Sequence, residues 1–232
     1  MLALWWTKLL DFISPRHCTV CGRRLAATES SLCTVCLLHL PRTGFQTSPD
    51  DNPMVQLFWH LTPVEKAAAY FYYEAKSEVT QLIYDMKYHD RPDIGEDLGR
   101  LMAVEMQMAG FFDDIDLLVP VPLSPKRMRQ RGYNQSEQLA RGISQITRLS
   151  VCSGVLKRHH FHASQTQLRR LERQANVSHQ FYCVNAQKLA HRHVLLIDDV
   201  CTTGATLRAC ANALSGIEGI RISVLTLAFT KH

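Results

Sequence analysis

The sequence predicts an α/β protein: a mostly parallel sheet with helices on both faces, preceded by a small cysteine-rich module at the N-terminus. Strand patterns alternate with helix patterns from residue 67 onward, and four cysteines stand in two pairs before residue 40. The 232 residues are 46% hydrophobic and 20% charged, which suits a globular chain and excludes a disordered or collagen-like one. We expect three segments: residues 1–40 with an N-terminal helix and the cysteine module, a linker over 41–63, and the α/β domain over 64–232.

Residues 1–13 are apolar and include Trp5 and Trp6, but Lys8 and Asp11 interrupt the run. This pattern predicts a short amphipathic helix that packs on the protein, with a membrane surface as the alternative. No apolar run reaches the length of a membrane span, and neither a basic leader nor a small-residue cleavage site marks a signal peptide. We therefore expect a cytoplasmic protein without a transmembrane segment, in which cysteines are thiols or metal ligands rather than disulfides.

Two Cys-x-x-Cys pairs, Cys18 with Cys21 and Cys33 with Cys36, are separated by eleven residues. Thiolates at this spacing can share one tetrahedral cation, and a segment this short needs a metal in place of a hydrophobic core. The pairs therefore predict a zinc-ribbon-like module with a structural Zn²⁺, whose four cysteine ligands leave no open position for chemistry. Two redox-active pairs are the weaker alternative, because neither pair opens a helix directly after a strand.

Residues 41–63 are rich in Pro, Gly and Asp, which predicts a turn-rich connection. Leu57, Phe58 and Trp59 are expected to anchor it to a neighbouring surface.

Periodicity then places strands and helices along the α/β domain. Apolar runs predict strands at 67–73, 115–121, 193–197 and 221–229, and apolar residues at helical spacing predict helices at 77–87, 94–108, 135–148 and 206–214. Asn134 followed by Glu137 predicts a capping box at the start of the third helix. Because strands alternate with helices, we expect a parallel sheet that is buried on both faces.

Positive charge is concentrated in residues 126–173, which hold eleven Lys and Arg but only two acids, Glu137 and Glu172. The stretch therefore carries a net +9 in a chain whose total is +5. A basic surface inside a folded domain predicts an anionic partner: phosphate, pyrophosphate or nucleic acid. The alternative is a surface that only balances acids elsewhere.

Two adjacent carboxylates, Asp198 and Asp199, follow an apolar run and precede a loop of small residues, Thr202–Thr206. Ligands of open α/β sheets bind at the carboxyl ends of strands, and free N–H groups at a helix start bind phosphate, which Gly204 lets approach the backbone. Carboxylates repel phosphate but suit ribose hydroxyls or a divalent cation. The pattern predicts a site for a sugar 5′-phosphate; the alternative is an ordinary loop whose aspartates only cap the helix.

Asp-Asp followed by Thr-Thr-Gly-Ala-Thr resembles the phosphoribosyl-pyrophosphate (PRPP) binding motif of type I phosphoribosyltransferases. The chain as a whole resembles the ComF family, phosphoribosyltransferase-like proteins named for DNA-uptake competence. The resemblance covers nearly the whole chain. It also rests on the four-cysteine module and on the stretches 82–88, 119–127, 131–136 and 164–173.

The resemblance implies a type I phosphoribosyltransferase-like fold and a transferase that binds PRPP with Mg²⁺, releases pyrophosphate and modifies an unknown acceptor, expected to be a nitrogen nucleophile. Asp198 and Asp199 would be the catalytic pair at the ribose hydroxyls. The 5′-phosphate would be bound by Thr202, Thr203, Gly204, Ala205 and Thr206. Pyrophosphate would be bound by Leu123, Ser124, Pro125, Lys126 and Arg127, and by Arg169, Arg170 and Arg173 of a loop over 157–173 that closes over the site.

Two other readings of the sequence stay open. In the first, the zinc module and the basic stretch bind DNA without catalysis, although the module has few aromatic side chains that could stack on bases. In the second, the module docks partner proteins.

Overall fold

The structure, a computed structural model, describes residues 15–88, 91–159 and 180–231. Within these ranges the strands are β1 (Ala67–Tyr73), β2 (Leu117–Pro120), β3 (Ser150–Val151), β4 (Leu156–Arg158), β5 (Phe181–Cys183), β6 (His193–Cys201) and β7 (Arg221–Thr230). Five of them form a parallel sheet in the order β1-β7-β6-β2-β3, and β4 pairs with β5 in a separate antiparallel hairpin. The predicted mostly parallel sheet is confirmed.

The described helices are α1 (Thr34–His39), α2 (Glu78–Tyr88), α3 (Pro92–Met108), α4 (Pro125–Arg131), α5 (Gln135–Thr147) and α6 (Ala205–Leu214). Short 3₁₀ turns occupy Phe45–Thr47, Val55–Leu57 and Ala186–Lys188. Every predicted strand and helix of the α/β domain is present, with ends within two residues of the expected ones except at β6. Helix α4 and the short strands β3, β4 and β5 were not predicted. None of the described helices combines the length and the apolar character that a membrane crossing requires.

Strand β6 continues four residues beyond its predicted end, so that Asp198 and Asp199 lie within the strand. Its extra residues pair with β7, which supplies ladder partners as far as Cys201 opposite Phe229. On the other side β2 stops at Pro120, opposite Ile197. The end of β6 therefore has a neighbour on one side only, which leaves space beside the two aspartates.

Glycines set the distance between α3 and α5, which pack against each other on one side of the sheet. A Cβ atom added to Gly99 would lie 2.2 Å from the carbonyl oxygen of Leu139, and one added to Gly142 would lie 2.1 Å from that of Glu96. Only residues without a Cβ allow backbones to approach so closely. This contact sets the position of α5, whose first turn supplies part of the site described below.

Asn134 caps α5, since its side-chain oxygen accepts a hydrogen bond from the N–H of Ser136. The second half of the predicted capping box is wrong: the Glu137 carboxylate accepts from Arg141, 2.9 Å away, one turn further along the helix. An i,i+4 ion pair with a guanidinium has taken the place of the bond back to the cap.

Residues 41–63 pack along β1, the edge strand of the sheet. The N–H of Tyr72 donates to the carbonyl of Pro41, and the N–H of Ala67 donates to that of Pro49. Of the three expected anchors, Phe58 is fully buried and Leu57 packs against the core, whereas Trp59 is 47% exposed. The boundaries of the three predicted segments stay a prediction, and the expected helix over 1–13 lies outside the described residues.

Candidate functional site

The four cysteines of the two Cys-x-x-Cys pairs converge on one point. Their Sγ atoms all lie within 4.8 Å of one another, and those of Cys21 and Cys33 are 3.7 Å apart. Gly22 adopts φ 71°, which turns the chain after the first pair, and Cys33 caps α1 through its sulfur. The N–H groups of Cys33 and Cys36 donate to the sulfurs of Cys18 and Cys33, at 3.3 and 3.4 Å.

The electrostatics of this cluster suit a bound cation. The hydrogen bond from the Cys36 N–H lowers the pKa of the Cys33 thiol to about 7, whereas burial and the neighbouring sulfurs raise that of the Cys36 thiol. Three of the four cysteines are buried and Cys21 is exposed. Four thiolates cannot share so small a volume without a cation to neutralise them, and thiolate is the form that binds zinc. The donor set, its geometry and its charge fit a four-coordinate zinc ion.

The Asp198–Asp199 pair lies at the carboxyl end of β6, as the sequence predicts. Asp198 Oδ1 accepts from the Ser136 hydroxyl at the start of α5 and from the N–H of Asp199, both at 2.9 Å. Asp199 Oδ2 lies 2.7 Å from the Lys87 ammonium group at the end of α2. Two helices distant in sequence therefore hold the two carboxylates in place.

Charge at this pair is only partly compensated. Burial, together with the negative charge of Asp199, raises the pKa of Asp198 to about 7, against the smaller opposing effects of Ser136 and Lys87. One ammonium group thus faces two carboxylates. An arrangement of this kind favours a ligand that brings hydroxyl donors or a cation.

The loop after the aspartates forms a small cavity of about 50 Å³, lined by residues from Val200 to Leu207. Gly204 adopts φ 72° and precedes the first residue of α6, which has no side-chain cap. Leu57 and Phe58 pack against Gly204, and Arg208 donates to the carbonyl oxygen of Leu57 at 3.2 Å. The segment over 41–63 therefore supports this loop from behind, while its cavity stays open at the helix start.

A second, larger cavity of about 420 Å³ lies beside the first. Asp198 and Asp199 line it, and Thr202 and Thr206 line both cavities. Among the predicted phosphate-binding residues, Thr203, Gly204 and Ala205 face the small cavity alone. The two cavities therefore meet at the threonines, and the aspartates stand next to that junction.

The predicted pyrophosphate-binding stretch divides between two cavities. Leu123 and Arg127 line the larger cavity with the aspartates, whereas Ser124, Pro125 and Lys126 line a neighbouring one of about 310 Å³. The split arises because Ser124 caps α4 and Pro125 begins it, so that successive side chains point in different directions. Arg169, Arg170 and Arg173, with most of the predicted closing loop, lie outside the described residues.

Arg158 on β4 lines both of these neighbouring cavities. Burial and the positive charge of Arg127 lower the pKa of its guanidinium group, while Asp198 opposes the shift. Two guanidinium groups that repel each other next to an open cavity form a favourable place for an anion.

Sequence reasoning missed two groups that contact the aspartates, Lys87 and Ser136. Each lies within a stretch that supports the family resemblance, but nothing local to the stretch indicates contact with β6. For Lys87 the available signal was a single cation at the C-terminal end of an amphipathic helix, and for Ser136 it was a hydroxyl at a helix start. Both features are common in proteins without such a site.

Comparison with known proteins finds sequence relatives that are named for DNA utilization and for competence. It is 28% identical over 206 residues to the DNA utilization protein YhgH of Escherichia coli (strain K12), covering 85% of this chain and 83% of that protein. It is 30% identical over 147 residues to Competence protein F of Haemophilus influenzae, covering 61% of this chain and 64% of that one. No protein-family model matches the chain.

Among solved structures, the chain is similar to an allosteric regulatory enzyme of purine biosynthesis, at 19% identity and a TM-score of 0.41. It is also similar to the glutamine PRPP amidotransferase of B. subtilis, at 18% identity and a TM-score of 0.42. Each match covers 60% of this chain, which spans less than a third of the length of those two chains. The sequence relatives confirm the resemblance that the motifs indicated: this chain is a homologue of the competence and DNA utilization proteins, with a parallel α/β sheet and an N-terminal four-cysteine cluster.

Proposed function

We propose that this protein binds PRPP with Mg²⁺ and transfers its phosphoribosyl group to a nitrogen acceptor, releasing pyrophosphate. The observation that carries the proposal is the junction of the two cavities: Thr202 and Thr206 line both, directly beside the Asp198–Asp199 pair. A ribose 5-phosphate needs a small polar cavity for its phosphate. It also needs hydrogen-bond acceptors for its hydroxyls, at a distance from that cavity that the ribose ring can span. This sheet edge offers both.

Each part of the ligand has a matching part of the site. The 5′-phosphate would occupy the small cavity, where N–H groups at the start of α6 and threonine hydroxyls are donors. The ribose hydroxyls would donate to Asp198 and Asp199. Pyrophosphate would lie toward Arg127 and Arg158, whose mutual repulsion an anion relieves.

In the reaction, the bond between C1 of the ribose and the pyrophosphate oxygen breaks and its electron pair leaves with pyrophosphate. A bond from the acceptor nitrogen to C1 forms, and the nitrogen releases its proton to solvent. Positive charge develops on the sugar as the first bond lengthens, as in glycoside hydrolysis, and the two carboxylates stabilise it. Arg127 and Arg158 stabilise the negative charge on the departing pyrophosphate. Mg²⁺, when bound with the ligand, would neutralise further charge on that group.

Lys87 and Ser136 are positioning residues in this scheme. Lys87 holds Asp199 at 2.7 Å, and Ser136 holds Asp198 at 2.9 Å, so that the carboxylate oxygens keep one orientation in the absence of ligand. Fixed acceptors need no reorganisation when charge develops on the sugar.

Calorimetric titration with PRPP in the presence of MgCl₂ tests the proposal. The wild-type protein should bind, and the double variant Asp198→Asn/Asp199→Asn should bind at least about 100-fold more weakly, since two charged acceptors are lost. The exposed neighbouring pair Asp50 and Asp51 provides a matched control: Asp50→Asn/Asp51→Asn should bind like the wild type. Absence of PRPP binding by folded, zinc-loaded wild-type protein would overturn the proposal.

We also propose that the four-cysteine cluster holds one structural zinc ion. Purified protein should contain one zinc per chain by elemental analysis, and Cys33→Ser should reduce both the zinc content and the thermal stability. Cys152→Ser, at a partly buried cysteine outside the cluster, is the control. Zinc-free protein that melts at the same temperature as the wild type would exclude a structural role.

Nucleic-acid handling is the second candidate, favoured by the relatives' names and by the cations Lys126, Arg129 and Arg158 around the third cavity. A single-stranded oligonucleotide should then bind with an affinity that falls steeply as salt rises. Arg129→Gln should weaken that binding and leave PRPP binding unchanged, because Arg129 lines the third cavity and not the aspartate cavity. Oligonucleotide binding that responds neither to salt nor to Arg129→Gln would exclude this candidate.

A further inference from the structure

The third cavity, of about 310 Å³, lies between the start of α4 and the hairpin of β4 and β5. The described residues that line it include the cations Lys126, Arg129 and Arg158 and the uncharged side chains of Ser124 and Gln180. None of the described lining residues is a carboxylate. An open space that is bordered by cations and lacks acids attracts a polyanion.

The cations of α4 lie on two sides of the helix. Arg127 and Arg131, four residues apart, line the aspartate cavity, which is the cavity of about 420 Å³ beside the two aspartates. Lys126 and Arg129, three residues apart, line the third cavity. Residues at these spacings share one side of a helix, so α4 presents a separate pair of charges to each cavity.

The cations of the third cavity are not neutralised by acids of the described chain. No ion pair among the described residues includes Lys126, Arg129 or Arg158. By contrast, Arg100 on α3 and Arg141 on α5 each pair with an acid of their own helix. Like charges without a counter-ion repel one another, and a phosphate group placed between them relieves that repulsion.

Arg158 stands at the boundary of the two cavities and lines both. Its Nη2 donates to Oε1 of Gln180 at 3.3 Å, and its guanidinium carbon lies 5.4 Å from the centroid of the Phe181 ring. A bidentate contact uses one edge of the guanidinium plane, and two phosphates that both contact this group would lie close enough to repel each other. Filling one cavity should therefore weaken binding in the other.

We propose that the third cavity is a second anion site, which binds a chain of linked phosphates and whose occupant competes with that of the aspartate cavity for Arg158. An anion in the third cavity would then lower the affinity of the aspartate cavity for PRPP. This coupling rests on the proposed function, whereas the second anion site does not. Linked phosphates occur in free oligophosphates and in the backbone of nucleic acids, and the experiment separates these two sources.

Volume and charge favour linked phosphates as the ligand. A cavity of about 310 Å³ is within the range that small-molecule sites occupy. Three cations spread around it can each contact a different phosphate group. A hydrophobic ligand is disfavoured, because Pro125 is the one apolar residue among the described lining residues.

Calorimetric titration with sodium tripolyphosphate in a buffer with MgCl₂ counts the anion sites. Wild-type protein should bind two molecules per chain. Arg129→Gln should weaken one binding event at least about tenfold, because a charge-assisted contact is lost, and Arg158→Gln should weaken both. Lys188→Gln removes an exposed cation outside the three cavities, and this matched control should behave like the wild type.

A second arm of the experiment replaces tripolyphosphate with a short oligothymidylate. Tripolyphosphate binding that depends on Arg129 supports the site with free oligophosphates as its ligands. Dependence on Arg129 for the oligonucleotide alone supports the site with a nucleic-acid backbone as its ligand. If Arg129→Gln changes the binding of neither probe, the second anion site is overturned.

The coupling is measured by titrating PRPP with and without saturating tripolyphosphate. Direct competition for the aspartate cavity is the same in the wild type and in Arg129→Gln. Tripolyphosphate should therefore lower PRPP affinity about tenfold more in the wild type than in Arg129→Gln. An equal reduction would overturn the coupling, and wild-type protein that fails to bind PRPP would overturn the proposed function and leave the second anion site standing.

Discussion

The two ends of the parallel sheet both carry clustered charges, but the ends differ in how completely the carboxylates are paired with cations. At the amino end, Arg221 donates to Glu65 and Asp114 at 2.6 and 2.9 Å, and Lys66 pairs with Asp114 at 2.5 Å. The imidazole of His193 lies in the same cluster, with Nε2 at 2.8 Å from the Ser223 hydroxyl. Each carboxylate of this cluster thus has a cation within direct contact.

The pKa values follow from that pairing. Burial opposes ionisation of Asp114, but the hydrogen bonds from Lys66 and Arg221 outweigh it and lower its pKa to about 2. Burial and the Arg221 cation lower the pKa of His193, which favours a neutral ring. The three potential metal ligands Glu65, Asp114 and His193 therefore face cations that already compensate them.

At the carboxyl end the cations and carboxylates are only partly paired. Lys87 pairs with Asp199, but Arg127 and Arg158 remain across a cavity from the aspartates, and the pKa of Asp198 is raised rather than lowered. Compensated charge at one end stabilises the fold. Uncompensated charge around open space at the other end is a cost that a ligand can relieve, which is the physical mark of a binding site.

The largest expected effect separates the cations of the two ends. Arg127→Gln/Arg158→Gln should weaken pyrophosphate binding by about 100-fold, because two charge-assisted contacts are lost. Arg221→Gln at the opposite end should leave that affinity unchanged. Calorimetry on the three proteins measures both; equal losses in the two variants would show that the ends do not differ in this way.

The pH dependence of PRPP binding should follow Asp198. In the proposed site its carboxylate form accepts the ribose hydroxyls, and a pKa of about 7 means that it gains a proton as pH falls through neutrality. Affinity should therefore drop by up to about tenfold per pH unit below 7. The variant Asp198→Asn shows how much of the pH dependence comes from titration of the ligand's own phosphates. A pH profile of wild-type affinity identical to that of the variant would contradict the role of Asp198.

Thermal stability should rise when the uncompensated carboxylate is removed. Because the pKa of Asp198 is raised, the folded chain keeps a proton between pH 4 and 7 that the unfolded chain has lost. Its contribution to stability is therefore lost as pH rises from 4 to 7. Asp198→Asn should thus be more stable than the wild type at pH 8, by on the order of 1 kcal/mol. Chemical denaturation at pH 8 and pH 4 measures this, and the gain should vanish at the lower pH.

The smallest effect is expected at the compensated end, with the opposite sign. Asp114→Asn should lower stability at pH 7 by about 0.5–1 kcal/mol, since its ion pairs are partly exposed and screened. The lowered pKa makes this contribution present above pH 4 and lost as pH falls toward 2. The same denaturation series tests it, and a stabilised Asp114→Asn would erase the contrast between the ends.

Local pattern sufficed for much of the fold. Hydrophobic periodicity predicted β1, β7, α3 and α6, because the face of a strand or helix that is buried shows in the spacing of apolar residues along the chain. It failed for the end of β6, whose last residues stay in the ladder only because β7 is long enough to pair with them. It also failed for β4 and β5, which are three residues each and depend on one another.

The candidate site divides in the same way. By itself the sequence determined those groups that are continuous or nearly so along the chain: two carboxylates, a glycine loop and two cysteine pairs. Only the tertiary structure decided which other groups meet them. Lys87, Arg131 and Ser136 reach the cavity through the packing of α2, α4 and α5 at the place where β2 ends before β6. Contacts of that kind depend on where helices and strands end relative to one another in space, and no local sequence pattern indicates those relative positions.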